Sequence, residues 1–149
     1  MSKDSKRTPR QQRALNAYVK LARAANAALA YARVGLEDAD LTLSQFAVLE
    51  ALYHRGPLYL GDLARRILTS SGNLTLVIDN LEKRGLAKRR QQGKDKRFIL
   101  ATITPAGRKL MARIFPQHSR RIVEVMGRLT SAEQEQLGRL CRKLGTGEE

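Results

Sequence analysis

Cysteine is almost missing from this 149-residue chain: Cys141 stands alone, so no disulfide can form within it and the usage fits a reducing cytoplasm. Histidine is nearly as scarce, with His54 and His118 only, and no cluster of Cys, His and carboxylates has metal-ligand spacing. No metal site is therefore expected. No stretch approaches the roughly 18 consecutive apolar residues of a membrane span, and the N-terminus lacks the apolar core of a secretory signal. A phosphate-cradling glycine loop, a nucleophile elbow and a pair of metal ligands four residues apart on a helix are all missing, so neither catalysis nor a cofactor is expected. The pairs Asp38/Asp40 and Glu133/Glu135 read instead as charges at helix N-termini. Acid is the other shortage. Fourteen Asp and Glu face 28 Lys and Arg, a formal net charge of +14. Self-repulsion of that size calls for a polyanionic partner; nucleic acid comes first, and an anionic membrane surface is the competitor it displaces.

What is present is an ordinary soluble composition, 42% hydrophobic and 28% charged, in a length of about one domain with no internal repeat. Residues 1–10 read as a disordered basic arm. From 11 to 36 the seam Leu15, Tyr18, Ala22, Ala25, Leu29, Ala32 and Leu36 predicts a long helix that packs on other helices. A second helix opens near Leu41-Thr42-Leu43-Ser44 with Ser44 as candidate N-cap, carries Phe46, Leu49, Leu52 and Tyr53, and stops at Gly56-Pro57. Leu58 to Leu60 is a small strand, and Leu63, Ile67 and Leu68 mark a short third helix.

The stretch from Thr69 to Gly107 is the most informative. Leu68-Thr69-Ser70 turns into a fourth helix with Leu74, Val77, Ile78 and Leu81 on one side and Gly85 as its stop. Gly72, Leu76, Asp79 and Lys83 fall on the opposite side, flanked by Asn73, Thr75 and Asn80. A polar, small-residue face suits base contacts, while Ser70, Ser71 and the helix dipole suit phosphate or simple capping. Strands over 86–92 and 97–103 meet at Gly93-Lys94-Asp95-Lys96, and six cations (Lys88, Arg89, Arg90, Lys94, Lys96, Arg97) surround that turn with one acid. Thr104-Pro105 starts a fifth helix carrying Leu110, Ile114, Ile122, Val125 and Leu129, with a kink or break expected at Pro116. Thr130 to Glu133 forms a capping box for a last helix faced by Leu137, Leu140, Cys141 and Leu144. The order predicts a mainly α fold with a small β-hairpin: a winged helix-turn-helix between N- and C-terminal dimerisation helices. Expected spans are 44–104 for the DNA-binding unit, about 61–84 for the helix-turn-helix, about 87–103 for the wing, 11–36 and 108–145 for dimerisation, and 146–149 for a tail.

Leu43-Ser44-Gln45-Phe46-Ala47-Val48-Leu49, Leu63-Ala64, Leu81-Glu82-Lys83-Arg84-Gly85-Leu86, Asp95-Lys96-Arg97 and Ile103-Thr104-Pro105-Ala106-Gly107 occur in an order and spacing that is specific as a set. Over residues 11–145 the chain resembles the MarR (multiple antibiotic resistance regulator) family of transcription factors. That resemblance implies a homodimer on a pseudo-palindromic double-stranded DNA operator, with the fourth helix in the major groove and the wing at the minor groove. It further implies that Arg97 enters the minor groove while Asp95 orients its guanidinium, since a held Arg loses less entropy on reaching a narrow, negative groove. It implies repression relieved by a small phenolic or anionic effector bound between the dimer helices and the reader, where Tyr18, Tyr31, Phe46 and Tyr53 are candidate lining residues.

On this reading Ser70, Ser71, Lys83, Arg89 and Arg90 hold phosphates, Asn73, Thr75 and Leu76 meet base edges, and Arg97 with Lys94 and Lys96 holds the minor groove. Family members often carry Arg where this chain has Leu76, which either meets thymine methyls or belongs to the core. Cys141 is expected to pack in the core, and His118 to serve an interface or the core. The rival readings are an effector-independent architectural nucleic-acid-binding protein, favoured by the spread of positive charge, and a redox switch through Cys141.

Overall fold

The computed structural model describes residues 7–67, 71–95 and 98–146. Its first helix begins on a reciprocal cap: the Gln11 N–H donates to the Thr8 hydroxyl at 3.2 Å, and the Thr8 N–H donates to Gln11 Oε1 at 2.8 Å. Pro9 takes the first helical position, where its missing N–H costs nothing. Helix α1 therefore spans Pro9–Arg33, and the end of the expected arm is helical; residues 1–6 lie outside the described residues. A 3-10 turn, Glu37–Ala39, follows, and Asp40 closes it in the left-handed region at φ 53°.

Helix α2 (Leu43–Arg55) starts two residues earlier than a cap at Ser44 implies. Thr42 is the N-cap, because Gln45 stands three residues on: the Gln45 N–H donates to the Thr42 hydroxyl at 3.1 Å and the Thr42 N–H to Gln45 Oε1 at 3.0 Å. Strand β1 (Leu58–Tyr59), α3 (Leu60–Ile67) and α4 (Ser71–Lys83) come next; the turn at 68–70 lies outside the described residues. Helix α4 ends in a Schellman motif. The Leu86 N–H reaches the Leu81 carbonyl at 2.9 Å and the Gly85 N–H the Glu82 carbonyl at 2.9 Å, with Gly85 at φ +68°. Strands β2 (Ala87–Gln91) and β3 (Ile99–Ile103), α5 (Pro105–Met126) and α6 (Ser131–Thr146) complete the order.

The chain divides into two units, Ala32–Arg121 and Met1–Tyr31 with Ile122–Glu149. In the first, β1, β3 and β2 form an antiparallel sheet in that order, with Leu58 opposite Ala101 and Ala101 opposite Arg89. Its core gathers Leu49, Leu52, Leu63, Leu74, Ile78 and Met111 among others. Leu74, Val77, Ile78 and Leu81 are all buried, as their spacing predicts. Thr104 is the buried joint between wing and α5. Its hydroxyl donates to the Gly85 carbonyl at 2.6 Å and accepts the Gly107 N–H at 3.0 Å. The break expected near Pro116 does not occur: α5 is continuous from Pro105 to Met126. Buried Ile114 and half-buried Phe115, packed against the core just before the proline, hold that turn helical.

His118 leans on the Phe46 ring, centroids 4.2 Å apart, and its buried Nδ1 has no hydrogen-bond partner among the described residues. Burial pushes the imidazole below its ordinary value, outweighing the opposing pull of Glu50 and of a hydrogen bond to the Ala32 backbone. The folded chain thus takes up this proton less readily than the unfolded one. Stability should be complete above about pH 6.5, fall as the pH drops below it, and stop falling below the folded pKa. Denaturant titrations should show that acid limb flattened in His118→Phe; an identical limb would remove His118 as its source.

The second unit looks different. Its pieces of α1 and α5 and the whole of α6 contain no buried residue among those described. Local bonds hold it: Thr130 and Glu133 form the predicted capping box, and Gln134 Nε2 donates to the Met126 and Leu129 carbonyls at 2.9 and 3.1 Å. The Arg128 guanidinium lies 5.5 Å from the centre of the Tyr31 ring. Leu15, Tyr18, Val19 and Leu29 of α1, Val123 of α5, and Leu140 and Leu144 of α6 are exposed. Cys141 is exposed too, contrary to the core position its helical stripe implies: every described residue of α6 but Gln134 is exposed.

Candidate nucleic-acid interface

With one side of α4 in the core, helical geometry leaves a solvent face and two flanks. Gly72, Asn73, Thr75, Leu76 and Lys83 are exposed, and Asn73 and Thr75 each take part in an interaction of their own. The open choice for Leu76 is decided: it is 60% exposed, on the solvent face of a helix whose other leucines are buried. Asp79 does not belong with that face. It is half-buried on the flank turned toward the wing, one helical turn before Glu82.

Strand β2 explains why. Its residues alternate, so Ala87 and Arg89 point to one side of the sheet and Lys88 and Arg90 to the other. Lys88 and Arg90 are exposed, and Ala87 is buried against α4. Arg89 follows Ala87 inward: its Nε donates to Glu82 and its Nη2 to Asp79, which leaves its side chain 28% exposed. Burial works against the guanidinium charge, yet the hydrogen bonds to Glu82 and Asp79 more than offset it, so its pKa is raised. The expected phosphate ligand Arg89 is thus engaged inside the fold, with two acids as partners. Asp79 and Glu82 are the only acids between 71 and 94, but nothing in their order along the chain marks either as the partner of Arg89.

At the wing tip the Gln92 N–H donates to the Phe98 carbonyl at 2.9 Å and the Phe98 N–H to the Asp95 carbonyl at 3.1 Å. Lys94 is exposed there; Asp95 is half-buried and engaged in an interaction. Lys96, Arg97, Ser70 and the side chain of Ser71 lie outside the described residues, and with them the expected pairing of Asp95 with Arg97. Just before β3, Phe98 meets Tyr59 edge to face, centroids 6.0 Å apart.

A residue the sequence reading passed over is Arg84. Its Nη1 and Nη2 donate to the Asp40 and Ala39 carbonyls at 2.5 and 2.9 Å, tying the end of α4 to the segment before α2. An open cleft lies beside this tie, lined by Thr42, Gln45, Asn80, Lys83 and Arg84 among others. None of the four aromatics expected at an effector cavity lines it. Phe46 is 2% exposed and is a core residue, and Tyr53 is half-buried under the Arg108 guanidinium. Tyr18 and Tyr31 belong to the other unit, with Tyr18 68% exposed. Among the described residues no group of three or more His, Cys, Asp or Glu is placed to hold a metal ion, and no described helix is long and apolar enough to cross a membrane.

A short helix, a second helix with an exposed polar face, and an adjoining basic hairpin on a three-stranded sheet define a winged helix-turn-helix protein. The sequence model of the MarR family matches residues 41–99. A relative from Bacillus subtilis, the uncharacterised HTH-type transcriptional regulator YkoM, is 39% identical over 134 residues, covering 90% of this chain and 87% of that one. The MarR-family regulator Sco3205 from Streptomyces coelicolor, solved in complex with DNA, superposes with a TM-score of 0.81 at 26% identity, covering 95% of this chain and 92% of that one. BpsR from Bordetella bronchiseptica, whose DNA binding is regulated by 6-hydroxynicotinic acid, has a TM-score of 0.78 at 29% identity and coverage of 87% and 98%. The chain belongs to the MarR family: it is a DNA-binding transcriptional regulator and not an enzyme.

Proposed function

We propose that this protein is a cytoplasmic, homodimeric repressor that reads a pseudo-palindromic operator and releases it when a small phenolic or anionic effector binds. The observation that carries the DNA-reading part is the exposed face of α4, with Asn73, Thr75, Leu76 and Lys83, together with the exposed cations Lys88, Arg90 and Lys94 on the adjoining hairpin. Asn73 and Thr75 read base edges, Leu76 meets thymine methyls, and the cations hold phosphates. Ser70 and Ser71, near the start of α4, add phosphate contacts. Arg97, with Lys94 and Lys96, holds the minor groove.

The second unit supports the dimer. Helix segments that expose Leu15, Tyr18, Leu140 and Leu144 and bury none of their described residues need apolar cover, and a second copy related by two-fold symmetry supplies it. Such a dimer holds its two reading helices at one-turn spacing on the duplex. Release follows when an effector favours a dimer whose reading helices misfit the half-sites. The regulation of the Bordetella relative by an anionic hydroxylated aromatic supports an effector of that class. Tyr18, Tyr31 and Tyr53 remain lining candidates; the buried position of Phe46 makes it a support for such a site.

A nuclease footprint on the DNA upstream of the protein's own gene tests this reading, with protection of one inverted repeat as the expected result. Coating of the DNA without preference would favour an architectural protein, which the +14 charge makes the second reading. On the protected duplex, Arg97→Ala should weaken binding by about 1–3 kcal/mol. Unchanged affinity in that titration would take the wing out of the interface.

A further inference from the structure

We propose that Arg89 is a positioning residue: shared between Asp79 and Glu82, it locks the first wing strand to the reading helix and so sets where the wing tip stands. This deepens the DNA-reading proposal and rests on it. Strand parity turns Arg89 away from Lys88 and Arg90 and toward α4. Directly across the sheet stands Ala101, fully buried, so Arg89 packs over a small residue in the middle of the sheet. On α4, Asp79 and Glu82 are spaced i, i+3 on the flank that meets β2. A planar guanidinium spans two such carboxylates through separate N–H groups held in a fixed fork, a spread and rigidity that the compact ammonium of a lysine does not reproduce.

Lever length makes this joint matter. Residues 89 to 94 advance at most about 3.4 Å each, so the tip stands up to roughly 17 Å beyond the joint. A rotation of about 10° there moves the tip by about 3 Å, half the roughly 6 Å width of the minor groove. The joint also leaves two acids beside the proposed phosphate contacts, where charge alone disfavours them.

That opposition gives the test a sign. Glu82→Gln and Asp79→Asn remove negative charge near a polyanion, so simple electrostatics predicts tighter DNA binding. The joint predicts the reverse: each variant should bind the footprinted duplex three- to tenfold more weakly, and Arg89→Lys should lose as much as Arg89→Ala. In the free protein, hydrogen exchange at the Gln92 and Phe98 amides should be about tenfold faster in the acid variants, at near-native melting temperature. Binding by Glu82→Gln that is unchanged or tighter overturns the proposal, and so does wild-type exchange at those wing amides. Arg89→Lys that keeps wild-type affinity overturns it as well, returning Arg89 to a phosphate contact. If the unaltered protein ignores the duplex altogether, the DNA-reading proposal has failed, and the exchange rates still judge the joint.

Discussion

Raising salt from about 50 to about 200 mM should weaken operator binding on the order of a thousandfold. The described cations open to solvent at the interface are Lys83, Lys88, Arg90 and Lys94, with Arg89 set aside because Asp79 and Glu82 hold it. If a dimer places about three of these per protomer on the duplex, it displaces about six counterions, a log–log slope of about −5. A fourfold change in salt then gives about three decades. Anisotropy titrations across that range measure the slope directly. Lys88→Gln should make it shallower by about 2, one ion per protomer, whereas Arg89→Gln should lower affinity and leave the slope nearly alone. A flat response would mean that phosphates do not dominate the interface.

Gly107→Ala should be the most damaging single methyl in the molecule's DNA-reading unit. A Cβ at that position would stand 2.1 Å from the Leu86 carbonyl oxygen and 2.8 Å from Ile103 Cγ1. The first of these is backbone in the Schellman turn that ends α4, and Thr104 ties it to Gly85 from the other side. Neither neighbour is the free end of a flexible chain, so α5 must lift off the turn. The expected loss is on the order of 3 kcal/mol, which lowers the melting temperature by roughly 10 °C or more. Gly138→Ala is the control: nothing lies within 4 Å of a Cβ there, and the same substitution inside α6 should stabilise by about 0.5–1 kcal/mol. A Gly107→Ala protein melting within a few degrees of wild type would contradict the close approach of α5 to that turn. The same contact explains physically why a glycine closes the Ile-Thr-Pro-Ala-Gly run.

Much of this architecture was legible in advance. The apolar spacing of α4 predicted the four residues it buries, and the Thr104-Pro105 start, the Thr130–Glu133 box and the Gly85 stop all lie where local chemistry puts them. Thr42 is instructive among the misses. Its capping box with Gln45 is as local as the others, and Ser44 drew the cap only because both residues are good cap formers. Of the kink or break expected near Phe115, the break is absent for another reason. The penalty of a proline within a helix is a local quantity, while the packing of Ile114 and Phe115 that holds α5 together comes from elsewhere in the chain.

The candidate site divides the same way. The run of charge put Lys88, Arg90 and Lys94 on the hairpin, where all three are exposed. The same criteria assigned Arg89 to phosphate, since a basic residue in a basic strand carries no mark of its partner. Helix starts, stops and apolar faces depend on neighbours three or four positions away, and that range is open to anyone reading letters in order. Asp79 with Arg89, ten residues apart, and Asp40 with Arg84, 44 apart, meet only after strand parity and helix packing have placed them. The exposure of Cys141 and Leu76 is of this second kind too, because whether an apolar stripe is covered depends on what the rest of the chain leaves beside it.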